Sequence, residues 1–144
     1  MIETMNNTVP SLETTTASKP RRHETWSVGD KAHQGDLIFV ALKKLPKSAK
    51  SRSDRQMAEG STKGSRHILE GGKCFDCDAQ ELAKALKADA KMIVDPKYIG
   101  PVFTGECVLT HPQHQHQAFP NHACTVVVYQ RNLDADEREA RVLD

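Results

Sequence analysis

The stretch "YIGPVFTGECVLTH", residues 98–111, decides how this chain folds. Drawn as an extended strand, it puts Phe103, Cys107, Leu109 and His111 on one side and Thr104, Glu106 and Thr110 on the other. One apolar and one polar face over that length is the pattern of a half-buried strand in a sheet. The apolar face ends in a histidine.

Reading outward, "ACTVVVYQR" at 123–131 alternates Cys124, Val126 and Val128 against Thr125, Val127 and Tyr129, which predicts a second strand. "QGDLIFVALKKLP" at 34–46 holds the apolar run from Leu37 to Leu42 between Gly35-Asp36 and Pro46, and is expected to be a buried strand. Leu37, Phe39, Phe103, Leu109, Val126 and Val128 are expected to be buried together. A strand is also expected to begin at His67, with Leu69 on the same face, and a shorter one at "KMIVD", 91–95. "DAQELAKALKADA" predicts a helix from Asp78 to Ala90: Asp78 can cap it with Glu81 three positions on, and Leu82 and Leu86 share a face. The closing "DADEREARVLD" predicts one or two helical turns capped by Asp134 or Asp136. The fold class expected is mainly β (α+β), a small antiparallel barrel or sandwich with one packed helix and an extended N-terminal arm.

That arm is residues 1–25, rich in Thr, Ser, Asn and Pro and without hydrophobic period; residues 26–144 form a single β-rich domain. Ordering such an arm costs about 1–2 kcal/mol per residue in backbone entropy, so a neighbouring subunit is the expected partner that holds it. The chain is 38% apolar and 5% aromatic, thin for a compact domain, which agrees with part of it lying outside the core.

A formal net charge of +1 argues against binding nucleic acid or an anionic membrane by bulk electrostatics. Local charge differs: residues 43–67 carry eight Lys or Arg against two acids. A nucleic-acid-binding module would use Lys43, Lys44, Lys47, Lys50, Arg52 and Arg55 in this loop, yet no aromatics interleave the charges, and a solvated loop is the preferred reading. No stretch reaches the twenty or so apolar residues that span a bilayer, and the N-terminus lacks the pattern of a secretory signal, so a soluble cytoplasmic location is expected. The four cysteines are then read as reduced thiols.

His111, His114, His116 and His122 fall within a dozen residues. Imidazole is the commonest zinc ligand, and it suits copper, iron and nickel, so the cluster raises a site for zinc or another divalent transition metal. His67 is the best remote partner, which gives His67, His111, His114 and His116 as the candidate ligand set. Cys74 and Cys77 form a lone CxxC, read as two small semi-buried residues ahead of the helix rather than half a zinc ribbon. No nucleophile elbow, P-loop or dinucleotide fingerprint is present.

The segments "HQGDLIFVALKKLP", "AEGSTKGSRHIL", "LTHPQHQ" and "VVVYQRNLDADEREARVLD" resemble, in order, a family of short uncharacterised bacterial and phage proteins. Those proteins carry a "QGD" strand, a "GExTGHxH" turn, an "HEEH" segment and a closing "QREY". The likeness covers about residues 33–144. Here the motifs are degenerate: Ser65 stands where the family has its first "TGHxH" histidine and His67 keeps the second, "HPQH" keeps His111 and His114 but loses both acids, and "QREY" is reduced to Gln130–Leu133. The resemblance implies a four-histidine metal site of which about three ligands remain, with His116 as a substitute, and it brings no known activity with it.

These readings favour a non-enzymatic structural or interaction protein of a multi-subunit assembly, such as a virion component if phage-encoded, with a histidine-based structural metal site. The alternative is a cupin-like metal-dependent enzyme, and the weakest reading is the nucleic-acid-binding module.

Overall fold

The computed structural model describes residues 19–58, 66–121 and 123–130. In chain order these form β1 (Arg21–Arg22), β2 (Lys31–Gln34), β3 (Leu37–Ala41), β4 (Lys50–Ser51), β5 (Gln56–Ala58) and β6 (His67–Asp76). Helix α1 (Ala79–Ala90), a single 3₁₀ turn at Pro96–Tyr98, β7 (Ile99–Thr110), β8 (Gln117–Phe119) and β9 (Cys124–Tyr129) follow. The described residues are mainly β: a curled, mixed half-barrel of six strands ordered β1-β8-β7-β9-β3-β2, with one helix among them on its outer face. Strand β6 runs along the other side of β7 and carries β4 and β5 on its far edge.

The central strand is the one whose alternation reads most clearly. The first half of β7 pairs with β9 through Val102↔Val126, Phe103↔Thr125 and Thr104↔Cys124, and its second half pairs with β8 through Cys107↔Phe119 and Leu109↔Gln117. The exchange of partner falls at Gly105, whose N–H donates to the carbonyl of Ala123. Across the sheet β6 is bulged at the same level, between Gly71 and Lys73. A side chain at Gly72 would place its Cβ 2.5 Å from the carbonyl oxygen of Thr104, closer than van der Waals contact allows, and φ there is +63°. Only glycine lets the two backbones approach so closely, and the bend they make curls the sheet. The Arg55 guanidinium donates to the carbonyls of Gly71 and Gly72, at 2.8 and 3.2 Å, and so satisfies groups that the bulge takes out of the ladder.

Curling makes two cores. Leu37, Phe39, Leu69, Phe103, Leu109, Phe119 and Val127 line the concave side, with Phe39, Phe103 and Phe119 packed edge to face. Ile38, Val40, Leu42, Val102, Val126 and Val128 point the other way and are covered by Leu82 and Leu86 of α1 together with Val94 and Tyr98. The six expected core residues are therefore all buried but not together: Val126 and Val128 belong to the helix side, because the period of two sends them opposite to Val127. All five residues of β3 are buried because both of its faces are covered.

The helix begins where its cap predicts, with Asp78 accepting the N–H of Gln80. The reciprocal half of the box differs. Glu81 accepts from the hydroxyl and the N–H of Ser48, and that hydroxyl accepts the N–H of Asp78, so Ser48 is inserted between the two members of the box. At the other end the chain leaves α1 through Lys91 in the left-handed region, φ +55°, and "KMIVD" forms no strand. Val94 instead turns into the helix-side core. Residues 134–144, where a closing helix was expected, lie outside the described residues, as do residues 1–18 of the expected arm. The last part of that arm is held by its own chain: β1 pairs in parallel with β8, its Arg21 N–H donating to the carbonyl of His116 and that of His23 to Ala118.

Candidate histidine site

The apolar face of β7 terminates at His111, and β6, its neighbour, starts at His67; antiparallel pairing of Ile68 with Thr110 puts these two histidines at the same end of the sheet. Their rings lie 4.4 Å apart between centroids, and His114, carried back by the turn after Pro112, lies 4.5 Å from His111. The three imidazoles form a row with His111 in the middle. His67 and His111 are buried, 6% and 2% exposed, while His114 is exposed. His116 is half-buried further along the loop, and its charge bears on His111 without its ring joining the row. His122 lies outside the described residues.

The turn between β2 and β3 closes over the row. Gly35, φ +58°, sits so near that a Cβ there would lie 2.9 Å from Cδ2 and 3.0 Å from Nε2 of His114, and 3.4 Å from Cε1 of His67. Gln34, fully inward on β2, donates through Nε2 to the carbonyls of Leu109 and Gln115, both at 3.0 Å. With both amide hydrogens spent, its Oε1 is an acceptor, and the 2.8 Å contact to His67 Nδ1 is donated by the imidazole. His67 therefore carries its proton on Nδ1 and leaves Nε2 unprotonated.

His111 is fixed in the opposite tautomer. Its Nδ1 accepts the N–H of Gln113 at 3.0 Å and of His114 at 3.2 Å, which builds the turn and puts the ring proton on Nε2. Burial, then repulsion from His111 and His114, lowers the pKa of His67 to about 4. Burial and the neighbouring His114 and His116 lower that of His111 as well. Both are neutral at pH 7.

This chemistry bears directly on the expected metal. Coordination by His111 through Nε2 needs the proton moved to Nδ1, where it would point at two N–H donors, and Nδ1 itself is occupied by them. Among the described residues no three His, Cys, Asp or Glu side chains are arranged to hold a metal ion. As arranged, the donor set does not fit a three-imidazole zinc site.

The remaining candidates separate in space. Cys74 lies in the concave core and Cys77 packs on the helix side, so the CxxC thiols face opposite ways. Burial raises the pKa of both, that of Cys77 to about 11, as it does for Cys107, to about 12, and Cys124, to about 11; none is poised as a nucleophile. Of the basic loop, Lys43, Lys44, Lys47 and Lys50 are exposed, but Arg52 pairs with Asp76 at 2.7 Å and bonds the carbonyls of Asp54 and Gln56. Arg52 and Arg55 are tied to the protein's own backbone.

Two residues that complete the row, Gln34 and Gly35, were visible only as the "QGD" of the family resemblance. A buried glutamine at an inward position of β2 could have been found from the alternation of "KAHQ", in which Ala32 and Gln34 share the buried face. The structure brings Gln34–Asp36, His67, His111–His114 and Gln130 to one end of the sheet, the N–H of Gln130 donating to the carbonyl of Asp36. No known protein family, curated protein or solved structure matches the chain.

Proposed function

We propose that this chain is a non-enzymatic structural or interaction protein that works within a multi-subunit assembly, and that its histidine row is a joint of the protein itself. The observation that carries this reading is the double acceptance at His111 Nδ1. It commits the central imidazole to building a turn, as Gln34 commits His67, so the row ties together β2, β6 and the loop after β7. An exposed apolar pair supports the interaction role. Ile93 is 86% exposed and follows the cap of α1, while Val28, 51% exposed, precedes a Gly29 that packs on the backbone of Asp89 and Ala90 at the same helix end.

Elemental analysis of protein purified without a histidine tag, and light scattering of the same sample, test the reading. A species larger than one chain with no near-stoichiometric metal and no thermal stabilisation by added zinc, nickel or copper is expected. Near-stoichiometric metal that disappears in His67→Ala would favour the cupin-like metal-dependent enzyme instead. A monomer at every concentration would overturn the assembly role.

A further inference from the structure

The loop after β7 does two things at once. Its start is held by His111, and its end holds the N-terminal segment: the Gln115 amide donates to the carbonyl of Lys19 at 2.9 Å, and the carbonyl of His116 accepts the N–H of Arg21 at 2.8 Å. The carbonyl of Gln115 also accepts from Gln34, the partner of His67, and from Gln117, whose Oε1 meets His23 Nε2 at 2.8 Å. One hydrogen-bonded path thus runs from His67 through Gln34 and Gln115 to the residues on either side of β1, and His111 joins it through the turn it builds at Gln113 and His114, directly before Gln115.

We infer that this path is an acid-operated latch: protonation of His111 at Nδ1 unlocks the turn at residues 111–114 and releases the segment from Lys19 to His23 from β8. A neutral His111 can accept the two N–H groups; the imidazolium cannot, because both of its nitrogens are donors. Protonation of His67 works in the same direction, adding a buried charge on a ring whose centroid lies 4.4 Å from that of His111. Protonation leaves the protein with donors facing donors in a buried place, and the turn opens to relieve them. The titratable and charged groups on the elements that meet His111 and its loop include His67 and Glu70 on β6, His114 and His116 on its own loop, His33 on β2, Asp36 on the turn from β2 to β3, and Lys19, Arg21, Arg22, His23 and Glu24 on the N-terminal segment. Release of β1 would remove a strand from β8 and unstack His23 from Phe119, which it meets at 5.0 Å. The latch needs only a proton; it rests on the same double acceptance at His111 Nδ1 as the joint proposed above, and the oligomeric state does not enter it.

Amide NMR and hydrogen exchange of the whole chain, followed from about pH 7.5 to about pH 4.5, test it. In wild type the amides of Gln113, His114, Arg21 and His23 should change together and lose protection by at least about tenfold across one transition, once corrected for intrinsic exchange rates. His111→Asn keeps a side-chain acceptor for the turn but cannot titrate, and should abolish that common transition. Gln115→Ala should leave the transition at Gln113 and His114 and uncouple Arg21 from it. The latch is overturned if Arg21 and His23 stay protected while the turn opens, or if His111→Asn retains the wild-type transition.

Discussion

Gln34 and His67 are bonded at 2.8 Å across the mouth of the sheet, and every polar atom of the glutamine side chain is used: Oε1 by the imidazole, Nε2 by the carbonyls of Leu109 and Gln115. A buried amide in that position ties three elements to one another with no charge. Gln34→Leu, which fills similar volume, leaves His67 Nδ1 and two carbonyls without this partner and is expected to destabilise the fold by roughly 2–5 kcal/mol. Urea denaturation reads it as a lower midpoint with an unchanged slope. Gln34→Glu gives His67 a carboxylate, and the His67 pKa should then rise, visible in its ring proton shifts.

Gly35 faces the same row from the turn. Its φ of +58° suits glycine, and a Cβ would press on the His114 ring at 2.9 Å. The ring is exposed and can yield, but the backbone cannot, so Gly35→Ala should cost about 1–2 kcal/mol. Gly35→Ala in a His114→Ala background separates the two contributions: the backbone part should persist unchanged.

Much of this fold was legible because hydrophobic period reports burial directly. The alternation of residues 98–111 placed the long central strand, "LIFVA" announced a strand covered on both sides, and Asp78 marked the helix start at its true position. What period cannot report is which covered face meets which layer. Val126 and Val128 are as apolar as Val127, and only the third dimension assigns them to the helix side. Strand β1 was invisible for another reason: Arg21 and Arg22 bury nothing, and they are held by backbone bonds to residues almost a hundred positions away. The histidine row was legible in its members but not in its tautomers, because those depend on Gln34 and on the turn's own N–H groups.

Phe103 tests the concave core. It is fully buried, with its ring edge-on to Phe39 and Phe119 at 6.1 and 5.1 Å. Phe103→Ala removes that ring from the centre of the curl and should cost about 3–5 kcal/mol, enough to unfold a marginal domain. Val126→Ala, on the other core, should cost less and should loosen α1 rather than the sheet. A Phe103→Ala protein with an unchanged denaturation midpoint would contradict the packing described.

Arg55 separates architecture from ligand binding. Its guanidinium caps the Gly71 and Gly72 carbonyls. Arg55→Ala is therefore expected to lower stability by about 1–3 kcal/mol, since hydrogen bonds from a charged group are lost. Lys44→Ala and Lys47→Ala, whose side chains are exposed, should leave the denaturation midpoint within about 0.5 kcal/mol of wild type.

The pH dependence of stability follows from His67. Its folded pKa is about 4, against 6.5 for an unburied imidazole, because burial and the two neighbouring rings oppose the charge. The unfolded chain then binds the proton more readily than the native protein, so acid favours unfolding. The contribution is complete above pH 6.5, shrinks as pH falls through the window from 6.5 to about 4, and is exhausted below it. A shift of this size corresponds to a loss on the order of 3 kcal/mol, and His111, lowered for similar reasons, acts in the same direction. Carboxylates elsewhere titrate in acid too, so the diagnostic quantity is the difference between wild type and His67→Gln, which lacks the titrating ring. At pH 7 the wild type should be the more stable of the two, and the gap should close as the window is crossed. A gap that stays constant from pH 7 to pH 4 would show that His67 is protonated alike in the folded and unfolded chain, and with it the burial of a neutral imidazole against Gln34 would fall.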